Sequence, residues 1–584
     1  MSAASNITDT VETFTKIFTF GFEDYAVFIS MLVVSAGIGV YFGFFSGKND
    51  TADEYLLGGR NLKAWPVAIS LVSSQLSAIS IVTIPSEMYS FGITFAFTMI
   101  AMFGALPILM YIIIPVFYNN NISNCYEYLE LRFNKTTRQI LTLSFVLTGY
   151  LLMPVFIFIP ALSFAQVTGV NIHLINAIVC SICVFYTMLG GIKAVVWTDV
   201  VQAVVMVISV TIVGIMGVIA VGGLENVIGN AKNGGRLDVN MNFDVTTRTT
   251  LWNASAGGLC LWVGHIGLSQ VCVQRIVALP SLGQAKKSLF IFAIGFIFVM
   301  FFNCFTGIIM YSMYHDCDPL KIKIVDKPDK MMPFFVQDVV GHLKGMPGLF
   351  ISCVFSAALS AMSASMNSLA GIFYFDYVKP FVNHSERKAN LSMKGFILFT
   401  GFFCVAAGFL VEKSASLLQT IMTIGGVVQG AMVGVFMLGF LVPKANGKSA
   451  LIGLLSSMLA ILVLVTGAQR RMEAGKLAFP PLPSRDDGCD RFNYTLHGSI
   501  FRSNVTNEIV QTVEHDEGFS IFEISFQWYT ILGIFVVWIV AIPLSYVIPD
   551  DKKLDHNLLS PIIQKFVRYD SVKTDDYPMK KPHF

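Results

Sequence analysis

The chain has 584 residues, 54% of them hydrophobic and 13% charged, where an ordinary soluble domain carries roughly 25% charge. A formal net charge of +2 leaves no basic field for nucleic acid, and no phosphate-binding glycine loop or paired-cysteine metal spacing occurs. This composition excludes a water-soluble globule and argues against nucleotide-driven pumping.

Apolar runs of about 18 residues or more, enough to cross a hydrocarbon core about 30 Å thick, recur along most of the chain, which reads as a polytopic membrane protein. Met1 to Lys16 holds Glu12 and several polar residues without a basic region before a cleavage site. No removable signal peptide is read there, and the first span serves as the anchor. Hydropathy windows give about thirteen spans. They start near Tyr25, Ala64, Ile93, Gln139, Leu174 and Trp197, then near Leu251, Ser288, Gly345, Lys394 and Ser416, and finally near Ser449 and Ser525.

The short connections that carry Lys48, Arg60 and Lys63, then Arg132, Lys135 and Arg138, then Lys193, then Arg275, Lys286 and Lys287, then Arg387 and Lys388, then Lys444 and Lys448 fall on one side. The positive-inside rule makes that side cytoplasmic. With an odd number of spans the N-terminus lies outside and the tail from Asp550 to Phe584 inside, as a sorting or anchoring tail. The basic Lys321–Lys330 loop falls outside, but it is long and interleaved with Asp316, Asp318, Asp326 and Asp329, where the rule weakens. Orientation then filters the glycosylation sequons. Asn6, Asn493 and Asn504 face outward, whereas Asn49, Asn121, Asn134, Asn383 and Asn390 are silent and Asn253 stands at the start of a span.

Of ten cysteines, Cys180, Cys183, Cys260, Cys272, Cys304, Cys353 and Cys404 lie inside apolar runs, where cysteine acts as a small buried hydrophobe. Cys317 and Cys489 lie in long polar loops. With both loops outside they are candidates for a bridge, though spacing alone does not fix connectivity. The longest external segment, from about Gly467 to Ile524 with Pro480, Pro481 and Pro483, reads as a lid or decoration.

Three spans carry polar or helix-breaking residues at depth, where a membrane helix must otherwise satisfy its own backbone. The second holds Ser70, Ser73, Ser74, Gln75, Ser77 and Ser80, then Thr83 and Pro85; the seventh holds Trp252, Trp262, His265, Ser269, Gln270 and Gln274. Those two spans occupy equivalent positions if the chain contains two five-span halves, and broken helices at corresponding places point to a transport site at the midplane. The ninth runs from Ser356 to Asn367 in small residues. Its plain reading is close helix packing. A functional reading adds a sodium ion, which wants about five oxygens: Ala357 carbonyl and Ser360 hydroxyl share a helical face, and a broken partner can add the Ser73 and Leu76 carbonyls.

With these residues in place, the chain resembles the sodium/solute symporter family, in the branch of sodium-coupled monocarboxylate, multivitamin and iodide transporters. The likeness covers nearly the whole chain. It rests on Pro85-Ser-Glu-Met-Tyr89, Pro115-Val-Phe-Tyr118, the run from Tyr126 to Asn134, the run from Leu189 to Asp199, Gln274-Arg275, Cys317-Asp-Pro-Leu320 and Phe355-Ser-Ala-Ala-Leu359, in that order and spacing.

The resemblance implies an all-α fold of about thirteen transmembrane helices with a LeuT-type 5+5 inverted repeat. Residues 1–24 would be the extracellular N-terminus, 25–63 the first span and a cytoplasmic loop, 64–222 the first repeat, 223–250 an extracellular loop and 251–443 the second repeat. Spans twelve and thirteen would fill 444–549 around the long loop at about 468–524, and 550–584 would be the cytoplasmic tail. The resemblance also implies a sodium site built from Ser73, Leu76, Ala357 and Ser360, with Asp199 as the acidic residue on the sodium exit path. A helix N-terminal charge favoured by the dipole is the structural alternative for Asp199.

Two departures stand out. Ala361 replaces a second hydroxyl common after the sodium-site serine, with Ser363 as a possible substitute, and Ser80 and Met102 stand where iodide-type pockets have glutamines. The substrate candidates are Ser80, Met99, Met102, Trp262, His265, Met422 and Gln429. Trp262 and the methionines equally suit ordinary helix packing or the wall of a site for a small amphipathic solute. His265 can donate to a carboxylate or serve as a packed histidine, and Gln429 can contact substrate or a neighbouring helix. The expected activity is sodium-coupled import of a small organic anion, a monocarboxylate first, across the plasma membrane by alternating access. A multivitamin-type substrate (biotin or pantothenate) is the alternative, and a sodium-responsive sensor without turnover is the rival from another class. An enzyme is not expected, since no paired carboxylates or HExxH lie at depth.

Overall fold

The computed structural model describes residues 20–45, 51–325, 327–382, 385–412, 417–489, 520–548 and 554–567. Asn6, Asn493 and Asn504 lie outside the described residues, as does the side chain of Met422. The architecture is all-helical. In chain order the principal helices are α1 (Phe22–Phe45), α2 (Ala64–Gln75), α3 (Ala78–Phe91), α4 (Ile93–Asn119), α5 (Lys135–Thr168) and α6 (Ile172–Val221). There follow α7 (Leu251–Leu268), α8 (Gln270–Val277), α9 (Leu282–Met313), α10 (Met346–Val378), α11 (Glu386–Glu412), α12 (Leu417–Leu441), α13 (Gly447–Glu473) and α14 (Phe526–Val547).

By length and composition, 9 of the described helices can cross a membrane singly, and 11 spans result if each bent pair is one span. About thirteen were expected, and the difference has two sources. The 50-residue α6 is about 75 Å long at ~1.5 Å per residue, more than twice the hydrocarbon thickness. It holds both the fifth and sixth expected spans, joined at Gly191, whose φ of 55° and ψ of −149° are non-helical. A Cβ at Gly191 would lie 2.6 Å from the Tyr55 carbonyl oxygen, so glycine serves both the left-handed φ and the close approach. The other is α12, of which only Gly425–Leu441 enters the reckoning.

The helices start where side chains can take orphan backbone N–H groups. Asn134 accepts from Thr137 N at the head of α5, Ser281 from Gln284 N at α9, and Thr250 with Asn253 forms a reciprocal box at α7. Asn253 is fully buried in that box.

The two broken spans are bent by similar angles, 60° between α2 and α3 and 55° between α7 and α8. At the first, Leu76 leaves helical geometry and Ser77 caps α3 by accepting from Ser80 N; short hydroxylated side chains compete with the helix for such backbone partners. The second break falls at Ser269 after a widened turn over Val263–Leu268. At the centre, the most apolar window of α10 is 89% buried, against 28% for α1. Its small residues allow α1, α2, α5 and α6 to approach it closely.

Two segments outside the bundle are stitched to it. Cys317 and Cys489 form a disulfide, and nearby Leu482 N donates to Ser90 O and Asp318 N to Arg485 O. At the opposite end, residues 554–567 return to the helix ends: Tyr128 donates to Leu558 O, Asn120 to Asn557 O, and Ser560 N to Phe440 O.

Candidate functional site

The break after Gln75 frees the last carbonyls of α2 from intrahelical bonds, and it does so beside the centre of α10. Ser360 Oγ donates to Ser73 Oγ at 3.0 Å, and both residues are fully buried. Ala357 and Ser363 are also fully buried, Leu76 is 1% exposed and Ala361 5% exposed. Ser363 Oγ donates to the Ser360 carbonyl at 3.2 Å, so its hydroxyl is committed to the helix backbone while its lone pairs stay open. The side chains are neutral oxygen donors, the ligand type a hard monovalent cation takes.

From this point a buried polar chain runs toward α6 and α8. Ser73 Oγ donates to Ser70 O at 3.1 Å, and Ser70 Oγ donates to Asp199 Oδ2 at 2.6 Å. Arg275 Nη2 lies 3.3 Å from the same carboxylate oxygen, while its Nη1 donates to Ser70 O and Ser74 Oγ. Asp199 Oδ1 has no hydrogen-bond partner among the described residues. Asp199 is fully buried and joined to α2 through Ser70. Arg275, expected as a flanking cytoplasmic cation, is 2% exposed. The bend at Ser269 turns α8 into the bundle, and Gln274 beside it donates to Leu56 O and accepts from Ser368 Oγ. Sequence patterning does not single out Ser70, Arg275, Gln274 or Ser368 as site residues. The signal available for Ser70 is its place three residues before Ser73 on one helical face.

The substrate candidates divide. Trp262 Nε1 donates to Thr98 O at 2.7 Å and its ring packs on Phe296 at 4.7 Å; Met102 is fully buried and Met99 8% exposed. These three are packed side chains. By contrast His265 is exposed although it lies deep within the bundle, with Gly264 and Ile266 buried on either side. Its ring centroid is 6.3 Å from that of Trp262. Gln429 Nε2 lies 3.4 Å from Leu261 O, and a Cβ on Gly264 would stand 2.0 Å from that nitrogen. The missing side chain at Gly264 thus makes room for Gln429 at the second helix break. Ser80 is half-buried and its hydroxyl lies 3.0 Å from that of Ser77. Gln75, half-buried at the first break, contacts Cys272 of α8 at 3.1 Å and extends the polar surface between the two breaks.

Residues 55–457 match the profile described as the sodium:solute symporter family. Sodium-coupled monocarboxylate transporter 1 of Homo sapiens is 39% identical over 471 residues, 80% of this chain and 76% of the relative. Sodium-coupled monocarboxylate transporter 2 of Bos taurus is 36% identical over 482 residues, 82% of this chain and 78% of its own. A putative sodium-dependent multivitamin transporter of Drosophila melanogaster is 34% identical over 530 residues, 89% and 85% of the two chains. Among solved structures, a substrate-bound outward-open Na+-coupled sialic acid symporter superposes with a TM-score of 0.75 at 24% identity, over 92% of this chain and 100% of that one. The last likeness is one of fold.

Proposed function

The chain belongs to the sodium:solute symporter family, and from that premise we propose that it imports a small organic anion, a monocarboxylate first, coupled to sodium at the plasma membrane. The observation that carries the reading is the buried contact of Ser360 with Ser73 at 3.0 Å, made where α2 has stopped using its own carbonyls. In this reading the Ser73, Leu76 and Ala357 carbonyls and the Ser360 hydroxyl hold the ion, with Ser363 as a further oxygen. Asp199, two links away through Ser70 and carrying an unpartnered oxygen, receives it on the exit path.

His265, Ser80 and Gln429 offer polar contacts to a carboxylate. The relatives named as sodium-coupled monocarboxylate transporters support that substrate class. Residues 64–222 and 251–443 form the two halves, and the N-terminus lies outside. The disulfide at the end opposite the basic loops supports this orientation, since bridges persist on the oxidising side. Asn6, Asn493 and Asn504 are then the glycan acceptors.

At about −60 mV and a roughly tenfold gradient, one sodium ion supplies ~1.4 kcal/mol from each source, enough to concentrate a neutral solute about a hundredfold. Voltage opposes an anion, so more than one sodium per monocarboxylate restores the advantage. The test is voltage-clamp of oocytes with lactate, butyrate, nicotinate, biotin, pantothenate, iodide, choline and glucose, with sodium present and replaced. Sodium-dependent currents with the first three are expected. Currents confined to biotin and pantothenate would favour the multivitamin reading, and sodium-evoked responses without accumulation a sensor. Ser360→Ala should raise the half-saturating sodium concentration about tenfold or more at unchanged surface expression, equivalent to ~1.4 kcal/mol. Ala361→Thr should lower it. An unchanged sodium dependence in Ser360→Ala would refute the site.

A further inference from the structure

Beyond the midplane, the end of the molecule that carries the Cys317–Cys489 bridge holds a half-open cavity of about 790 Å³, within the range typical of small-molecule sites, roughly 300–1,000 Å³. Its wall includes the strap at Pro480–Arg485, which is held down by the buried Arg236. That guanidinium donates to Leu482 O, Pro483 O and Tyr89 O. The strap is therefore a fixed wall.

Two arginines face this cavity, Arg248 and Arg485. Arg248 presents one edge of its guanidinium to Glu87: Nε donates to Oε1 at 3.1 Å and Nη2 to Oε2 at 2.9 Å. The remaining edge, through Nη1, has no hydrogen-bond partner among the described residues, and the side chain keeps 25% of its surface open. Three rings surround the same group, Phe91 at 4.2 Å, Phe526 at 5.3 Å and Phe479 at 5.7 Å. They hold the guanidinium plane and present apolar surface beside it. The Arg485 side chain is exposed and makes no ion pair among the described residues. Asn230 and Asn240 add amides to the wall, and Asp238 is the acidic side chain there.

A planar fork with an open edge is the shape that takes a carboxylate through two parallel N–H···O bonds. We propose that this cavity is a vestibular carboxylate site: the free edge of Arg248 binds the anion, Arg485 supplies a second positive charge, and the rings receive a short apolar tail. This rests on the monocarboxylate reading above. Glu87 has two effects in the site. It fixes the fork in the cavity wall through Nε and Nη2, which leaves Nη1 for the anion, and its negative charge, with that of Asp238, keeps binding weak. Weak binding suits a station from which the anion must move on to the midplane.

The experiment measures uptake of labelled butyrate against its concentration at saturating sodium, in the full-length chain and three variants, with surface protein and half-saturating sodium recorded in parallel. Arg485→Ala, on an exposed side chain, should raise KM about three- to tenfold with maximal rate and sodium dependence unchanged. Arg248→Lys keeps the charge but loses the fork, and should raise KM about tenfold or more. Glu87→Gln should lower KM. Unshifted KM in both arginine variants, with losses confined to surface protein or maximal rate, would make the cluster structural and overturn the site alone. Absence of sodium-dependent butyrate uptake by the unsubstituted chain would overturn the transport reading and this site with it.

Discussion

Asp199 and Arg275 bring opposite charges to a place where water solvates neither, Asp199 being fully buried and Arg275 2% exposed. Removing one partner leaves the other as an uncompensated buried charge, which costs about 3–5 kcal/mol in proteins where such pairs have been broken. The two losses are not symmetrical. Without Asp199, Arg275 keeps Ser70 O and Ser74 Oγ as acceptors; without Arg275, Asp199 keeps the Ser70 hydroxyl as a donor. Arg275→Gln should therefore lower thermal stability in detergent more than Asp199→Asn, and the double variant should be more stable than Arg275→Gln. Losses that simply add in the double variant would show that the pair is not coupled. Asp199 was legible through the family resemblance, as the acidic residue on the sodium exit path, where a carboxylate is costly unless wetted or paired. Arg275 was read as a membrane-flanking cation, because hydropathy cannot tell a charge that ends a span from one that a bend at Ser269 turns inward.

The breaks at Ser77 and Ser269 were legible as elements from the density of hydroxyls and amides, which have no place in a lipid-facing helix. The joint in α6 was legible only as a boundary. Separate spans were expected near Leu174 and Trp197, and the glycine pair at Gly190 and Gly191 lies between them, but the change of direction is made in one residue without a loop. Lys193, paired with Glu54 just beyond the joint, and Tyr55, donating to Thr187 O at 3.0 Å just before it, clamp the turn from both sides. A side chain at Gly191 meets both a left-handed φ, which costs roughly 1–2 kcal/mol for most residues, and the Tyr55 backbone at 2.6 Å. Gly191→Ala should therefore strongly reduce surface expression. Gly395→Ala, in α11 with nothing within 4 Å of the added carbon, gains up to ~1 kcal/mol of helix propensity and should express at least as well. Equal expression of the two variants would mean that the joint tolerates a regular helix.

At the scale of the whole molecule the periodic and apolar parts of the fold were readable, while contacts between distant loops were not. The docking of residues 554–567 offers backbone groups that any sequence carries as one partner of each bond, as in Tyr128 with Leu558 O and Ser560 N with Phe440 O, beside the buried Leu558 and Leu559. The strap over the vestibule is similar, since Arg236 reads only carbonyl oxygens there. Its sequence-specific fastenings among the described residues include the ion pair of Lys321 with Asp486 at 2.9 Å and the Cys317–Cys489 bridge, which spans 172 residues. For a free chain, closing a loop of that length stabilises the fold by about 5 kcal/mol. Unfolded membrane helices remain inserted and already restrain the loop ends, so the measured gain should be smaller. The expected pattern tests that fastening. Cys317→Ser and Cys489→Ser should lower the thermal midpoint by the same amount, and the double variant by no more than either single. Dithiothreitol should lower the midpoint of the unsubstituted chain to the same value and leave the variants unmoved, because one covalent link is lost in every case. Additive losses would instead assign the effect to the packing of each cysteine. If the strap fixes the vestibule wall, the same variants should also weaken butyrate binding without altering sodium dependence, because the disulfide lies at the vestibular end and not beside Ser73 and Ser360.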